Sequence, residues 1–353
     1  MEKRNEFLDV VKCIAIFLVL WGHVVQQTYM AGKIDPDAYL DIIYRIIYTV
    51  HMPLFMGLCG YFFSLSINKH NLSKKNYMKK RIKSLVIPMV SFGFIRFLID
   101  VYIGDKTISV FSYLKDVSEI WFLGDLIINS IVVYFLINKL SNNLKRDWKW
   151  LFIGMLFSIP LYRAQGIYMY IFFIFGFYIK QYLHILKQYF VRFYYLIYAI
   201  FLFLIIYNVY ESLGIYAFSI NYLKHPNLIM LFINNILKII LGIIGIYIVV
   251  FLIWNFSNIK KINFFINKIN EYGRYTLELY LLNIVILEMF LGVVYKWLVV
   301  RYNYNMIQDN GFIFELTSTF ILSLIIMKIL LFITNQIYKY PIISKILFYK
   351  VKK

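Results

Sequence analysis

The run FLDVVKCIAIFLVLWGHVVQQ, residues 7–27, sets Asp9 and Lys12 near the start of an otherwise apolar segment and His23 deep inside it. A carboxylate, an ammonium and an imidazole are groups that bind charge and move protons. At about 100° and 1.5 Å per residue, a helix would put Lys12 and His23 within about 20° of one face and roughly 16 Å apart along it. Asp9 and Gln27 fall within about 40° of His23 on either side. Lipid offers such groups no hydrogen-bond partner, so this stripe must face a protein interior or a wet cavity.

The same arithmetic brings other ionisable residues to the depth of His23. Trp121, Asp125 and Asn129 form one stripe on a fourth apolar segment, and Asp125, Glu288 and Arg96 each lie about 10 Å below the outer surface if their segments span a membrane, with Arg45 slightly shallower. Together they outline a polar cup open to the outside. Arg96, Asp125 and Glu288 also fit a plainer role, ion pairs that hold the bundle together. His23, well separated from Lys12, is less easily explained by pairing and is the leading catalytic candidate. His51 comes near the midplane beside Pro53, where it either approaches His23 or satisfies backbone groups freed by the proline. His70, His184 and His225 lie in or beside loops and read as solvated.

These groups need a scaffold, and composition says which. Hydrophobic residues make up 61% of the 353 and aromatics 20%, with a mean hydropathy of +0.69, against the roughly 45–50% apolar content of a soluble domain. The expected fold is all-α: a polytopic transmembrane bundle. Ten segments approach the ~20 apolar residues that cross a bilayer: 9–30, 39–66, 83–103, 119–140, 148–163, 167–184, 190–210, 228–254, 275–300 and 312–338. Long unbroken apolar runs exclude a membrane barrel, whose strands alternate. The first run has no small-residue cleavage site after it, so it is expected to stay as the first span. Lys and Arg gather before residue 5 and in 67–83, 139–149, 180–192, 255–274 and the segment after 338, and are sparse in the intervening loops. The positive-inside rule then places both termini in the cytoplasm. The formal charge of +19 needs no nucleic-acid partner, because its basic residues are dispersed over short loops where they can meet anionic lipid. Cys13 and Cys59 sit in apolar runs without a CxxC spacing, so neither a disulfide framework nor a metal site is expected.

The residues also carry a family resemblance. LDVVKCIAIFLVLWGH resembles the first helix of the acyltransferase 3 family of membrane O-acyltransferases, a basic residue and a His with ten residues between them, here Lys12 and His23. VHMPLFMGLCGYFF (50–63), KKRIKSLVIP (79–88), IWFLGDL (120–126) and YTLELYLLN (275–283) are similar to further family segments, in the family's order. The chain departs from the family where it has Cys59 for Ser, Ser84 for a second Arg, Glu119-Ile120 for a His, and Asn283 for His. It is read as one stand-alone acyltransferase domain, residues 1–340, followed by a short basic cytoplasmic tail, 341–353.

The resemblance implies transfer of an acyl group, usually acetyl from cytoplasmic acetyl-CoA, to a hydroxyl of an envelope carbohydrate outside a bacterial cytoplasmic membrane. The residue map suits that work. Arg81, Lys83 and Lys80, with Lys12 above them, supply positive charge for CoA phosphates. His23 is the general base or, equally compatible, an acyl-accepting nucleophile. Asp125 or Glu288 orients it, with His51 in reserve; Arg45, Arg96, Glu119 and Trp121 are acceptor-binding candidates. Two other classes compete, a glycan exporter and an envelope glycan polymerase. The first would show paired halves with broken helices, the second a large outer loop, and neither pattern is present.

Overall fold

The computed structural model describes residues 6–32, 42–67, 74–103, 107–141, 144–158, 165–190, 192–212, 228–257, 263–302, 306–307 and 310–350. Within them the regular structure is helical throughout, as the long apolar runs require of a chain whose backbone must satisfy itself. In chain order the helices are α1 (Glu6–Gly32), α2 (Ile42–Ile67), α3 (Lys74–Ile103), α4 (Val110–Glu119), α5 (Trp121–Leu136), α6 (Leu144–Phe157), α7 (Gln165–Phe190), α8 (Phe193–Ser212) and α9 (Leu228–Ser257). They continue with α10 (Asn263–Arg274), α11 (Thr276–Asn283), a π-helical segment (Ile284–Leu291), α12 (Gly292–Tyr302), α13 (Phe312–Ile337) and α14 (Pro341–Phe348).

Six helical stretches among the described residues are long and apolar enough to cross a membrane: Glu6–Thr28, Ile42–Ile67, Lys74–Tyr102, Phe232–Asn255, Thr276–Tyr302 and Phe312–Ile337. A seventh is available if α4 and α5, bent by 76° at Ile120, count as one broken span. Of the other expected spans, 167–184 and 190–210 fall on α7 and α8, and 148–163 begins in α6 and ends outside the described residues. The chain is therefore a multi-pass membrane protein. In α4, Ser112 and Asp116 are buried while Val110, Phe111, Leu114 and Lys115 are exposed. Its N-terminus is capped by Ser109, whose Oγ accepts from the Ser112 N–H at 3.0 Å.

The helices fall into two compact units. The first comprises Met1–His51, Ile82–Leu123 and Ile266–Lys353. In it α1 packs against α11, the π-helical segment, α12 and α13. Gly273 lets a backbone come directly onto Asp9, whose carbonyl a Cβ there would strike. Trp21 donates from Nε1 to Thr319 Oγ1 at 3.0 Å, and Phe17, Trp21 and Phe320 form a ring cluster beside that bond. Residues 341–348, expected within a cytoplasmic tail, form α14, and its Phe348 is fully buried. Phe348 stacks on Phe92 at 5.7 Å and meets Tyr338 at 5.9 Å. Beyond it, Lys350 Nζ reaches Oε1 of the buried Glu278 at 2.9 Å, and Tyr338 OH donates to the same oxygen at 2.6 Å.

The second unit comprises Met52–Arg81 and Gly124–Phe265. Its α2 and α7 segments approach without a side-chain layer between them. A Cβ on Gly60 would collide with the Phe173 carbonyl, and one on Gly176 with the Gly57 carbonyl. Buried Asp147 accepts from Tyr178 OH at 2.6 Å and from the N–H and hydroxyl of Ser141 at 2.8 and 2.7 Å, which satisfies an acid at the start of α6.

Candidate active site

In the first unit, α1 carries His23 to the π-helical segment. His23 Nδ1 lies 2.6 Å from Glu288 Oε1, and the Asn283 side-chain amide lies 2.8 Å from the same Nδ1. The second carboxylate oxygen, Oε2, stands 3.7 Å from Nη1 of Arg96, which α3 supplies. The three charged or chargeable side chains are only partly covered, His23 at 16%, Glu288 at 23% and Arg96 at 20% exposure, so the group is reachable rather than sealed. Asn283 by contrast is fully buried. The Tyr48 ring lies parallel to His23 at 6.3 Å, and its hydroxyl donates to Gln26 Oε1 at 3.0 Å.

This constellation can do acid–base chemistry. An imidazole with one nitrogen fixed by a carboxylate presents the other nitrogen in a set tautomer and orientation, the requirement for taking a proton from a substrate hydroxyl. A guanidinium behind that carboxylate keeps the pair electrostatically balanced.

The remaining expected residues divide as follows. Lys12 lies on α1 with Nζ 3.1 Å from Asp9 Oδ1, an i,i+3 pair in which Asp9 is buried and Lys12 half-buried. His51 is fully buried in α2. Its Nδ1 is 2.7 Å from the Ile47 carbonyl one turn earlier, and its ring meets Tyr48 edge-on at 4.5 Å. Tyr48 thus touches both histidines of the unit. Arg45 is half-buried on α2; Glu119 closes α4, Trp121 opens α5, and both are half-buried. Lys83 is an exposed residue of α3.

Arg81, Lys80 and Asp125 belong to the second unit. Arg81 donates from Nε to Ser130 Oγ at 2.9 Å and from Nη1 to Tyr77 OH at 3.4 Å, with its guanidinium 5.0 Å above the Phe63 ring. Lys80 is exposed, and Asp125 is buried on α5 together with Asn129 and Ser130. Of the two acids considered for His23, Glu288 contacts it. Asn283 and Tyr48 were not singled out from the sequence as site residues. Asn283 registered only as a departure from a family position, and Tyr48, one of 32 tyrosines, carried no signal of its own. Among the described residues no group of three or more His, Cys, Asp and Glu could hold a metal ion.

The acyltransferase domain model, that of the acyltransferase 3 family, matches residues 5–332. The chain belongs to that family. It is a multi-pass membrane protein that carries this acyltransferase domain. Two nodulation proteins NolL, from Mesorhizobium japonicum and Sinorhizobium fredii, are each 33% identical to it, over 90 and 89 residues. The alignments cover 25% of this chain and 23% of each relative, so the similarity spans about a quarter of either protein. No solved structure gives a significant match.

Proposed function

We propose that this acyltransferase moves an acetyl group from cytoplasmic acetyl-CoA to a hydroxyl of an extracytoplasmic envelope carbohydrate, with His23 at the reacting centre. The observation that carries the reading is the 2.6 Å contact of His23 Nδ1 with Glu288 Oε1 in a chain of this family. Two routes fit. In the direct route the acceptor hydroxyl loses its proton to His23 Nε2 as its oxygen attacks the thioester carbonyl; the C–S bond then breaks, and the imidazolium returns the proton to the leaving CoA sulfur. In the two-step route Nε2 attacks the thioester first and the C–S bond breaks, CoA leaving as its thiol with the proton the acylated imidazole gives up; the acceptor oxygen then takes the acetyl as the N–C bond breaks, and its proton returns to the imidazole.

Lys12, Lys80, Arg81 and Lys83 attract the phosphates of CoA. Lys12 lies about 16 Å down α1 from His23, a separation an extended pantetheine arm can bridge. Arg45, Arg96, Glu119 and Trp121 serve the carbohydrate, and Asp125 and His51 support the polar interior. Ten membrane crossings with both termini in the cytoplasm complete the scheme, in which the donor enters from one side and the acceptor from the other. The test is direct. Purified protein in liposomes is given acetyl-CoA radiolabelled in the acetyl group, on the side of the basic loops, and envelope glycan from cells lacking this gene on the other. Label in the glycan together with free CoA thiol supports the proposal. Translocation of glycan without acetyl-CoA consumption would replace it with a transporter.

A further inference from the structure

Two side chains converge on one atom. Glu288 Oε1 is 2.6 Å and the Asn283 amide 2.8 Å from His23 Nδ1. A nitrogen of a neutral imidazole either donates a hydrogen bond or accepts one, and an ionised carboxylate only accepts. Facing Glu288, Nδ1 must therefore carry the hydrogen, which makes the amide end that meets it an acceptor. The two ends of a carboxamide have nearly the same shape, so the hydrogen-bond partners decide which faces Nδ1. With Nδ2 turned toward Nδ1 a donor would face a donor, while the other end of the amide is buried without a partner among the described residues in either orientation. With Oδ1 turned toward it instead, the Nδ1–H is shared between two acceptors and no donor opposes a donor.

The backbone explains how both groups reach the same nitrogen. Asn283 is the last residue of α11 and Glu288 lies five residues later, inside the π-helical segment Ile284–Leu291. In an α-helix five residues turn through 500°, which leaves the two side chains about 140° apart. A π-helix closes its hydrogen bonds between residues five apart, so they stack one turn above the other. The wide turn is what turns an amide and a carboxylate onto one imidazole nitrogen.

We propose that Asn283 is a positioning residue that, together with Glu288, locks His23 as the Nδ1–H tautomer and leaves Nε2 as the nitrogen that takes the acceptor's proton or the acetyl group. This rests on the role given to His23 above. It adds which nitrogen reacts and a residue, fully buried, that acts only through the imidazole.

The test reads the tautomer without any turnover. Protein labelled with 15N-histidine is placed in nanodiscs at alkaline pH, where an ordinary imidazole is neutral, and the His23 signals are assigned by their loss in His23→Gln. The expected wild-type spectrum shows a protonated Nδ1 and a bare Nε2. In Asn283→Leu, similar in size but without hydrogen-bonding atoms, the two signals move toward a tautomer mixture. kcat for acetyl transfer falls about 10- to 100-fold, as misorientation of a reacting group costs, while KM for acetyl-CoA stays constant. A wild-type His23 protonated at Nε2 overturns the proposal with no variant needed, and so does an Asn283→Leu protein with unchanged spectrum and kcat. If the Nδ1–H tautomer is found but no glycan accepts acetyl, the tautomer lock stands and the function proposed above fails.

Discussion

His23 Nδ1 and Glu288 Oε1 stand 2.6 Å apart, joining α1 to the π-helical segment inside a single unit. If Glu288 orients the imidazole, Glu288→Gln, which keeps size and loses charge, should lower kcat about 10- to 100-fold with KM for acetyl-CoA little changed. His23→Gln should abolish transfer while leaving acetyl-CoA binding in place. Steady-state kinetics in liposomes, with donor binding by calorimetry, separates the two. A Glu288→Gln enzyme of wild-type kcat would leave the contact without a catalytic part.

Arg96 reaches the other oxygen of the same carboxylate at 3.7 Å. Groups sharing one partner are not independent, so Arg96→Met and Glu288→Gln should combine non-additively. The coupling expected from a double-mutant cycle on kcat is on the order of 0.5–3 kcal/mol. Additive losses would show that Arg96 meets its ligand elsewhere.

Arg81 and Lys12 are given to the donor, and donor binding through charge weakens with salt. Lys12→Ala and Arg81→Ala should raise KM for acetyl-CoA more at low than at high ionic strength, with kcat less affected. Arg81 also sits over Phe63 and bonds Ser130. Equal weakening at both salt concentrations would therefore identify it as a packing residue. The same preparations can carry single cysteines for sidedness. Positions 107–109, ahead of α4, should react with an impermeant reagent applied outside and positions 74–80 should not; the reverse pattern would invert the scheme.

Packing makes its own prediction. Gly60→Ala would drive a methyl into the Phe173 carbonyl, whereas a Cβ on Gly57 meets its nearest neighbour, the Phe172 carbonyl oxygen, at an ordinary 3.7 Å. Gly60→Ala should lower stability by roughly 1–3 kcal/mol, read as a fall in Tm in detergent, and Gly57→Ala should change it far less. Equal effects would mean that α2 and α7 are not in such close contact.

Much of the site could be read by α-helical arithmetic. The Asp9, Lys12 and His23 stripe follows from 100° per residue, and depth along a helix brought Glu288 and Arg96 to the level of His23. Depth alone could not choose between acids. It does not say which acid meets the imidazole, because lateral placement depends on which helices pack together. The bend at Ile120 also escaped, since no proline or glycine marks it. Asn283 escaped for a deeper reason. Counting at 3.6 residues per turn sends it to a different face from Glu288, and an apolar run such as IVILEMFL carries no sign of a change in helical period.

That change of period has a genetic corollary. A π-helical stretch holds one residue more than the α-helical turn it replaces, so it can give one up. Removing a single codon from positions 284–287 would leave Asn283 and Glu288 four residues apart, still neighbours on one α-helical face. Removing one between Lys12 and His23 would instead rotate the imidazole by about 100° away from its partners. Single-codon deletions scanned along the chain should therefore be tolerated best at 284–287, and this spare residue gives the region around Glu288 room to drift in length while the histidine helix stays fixed.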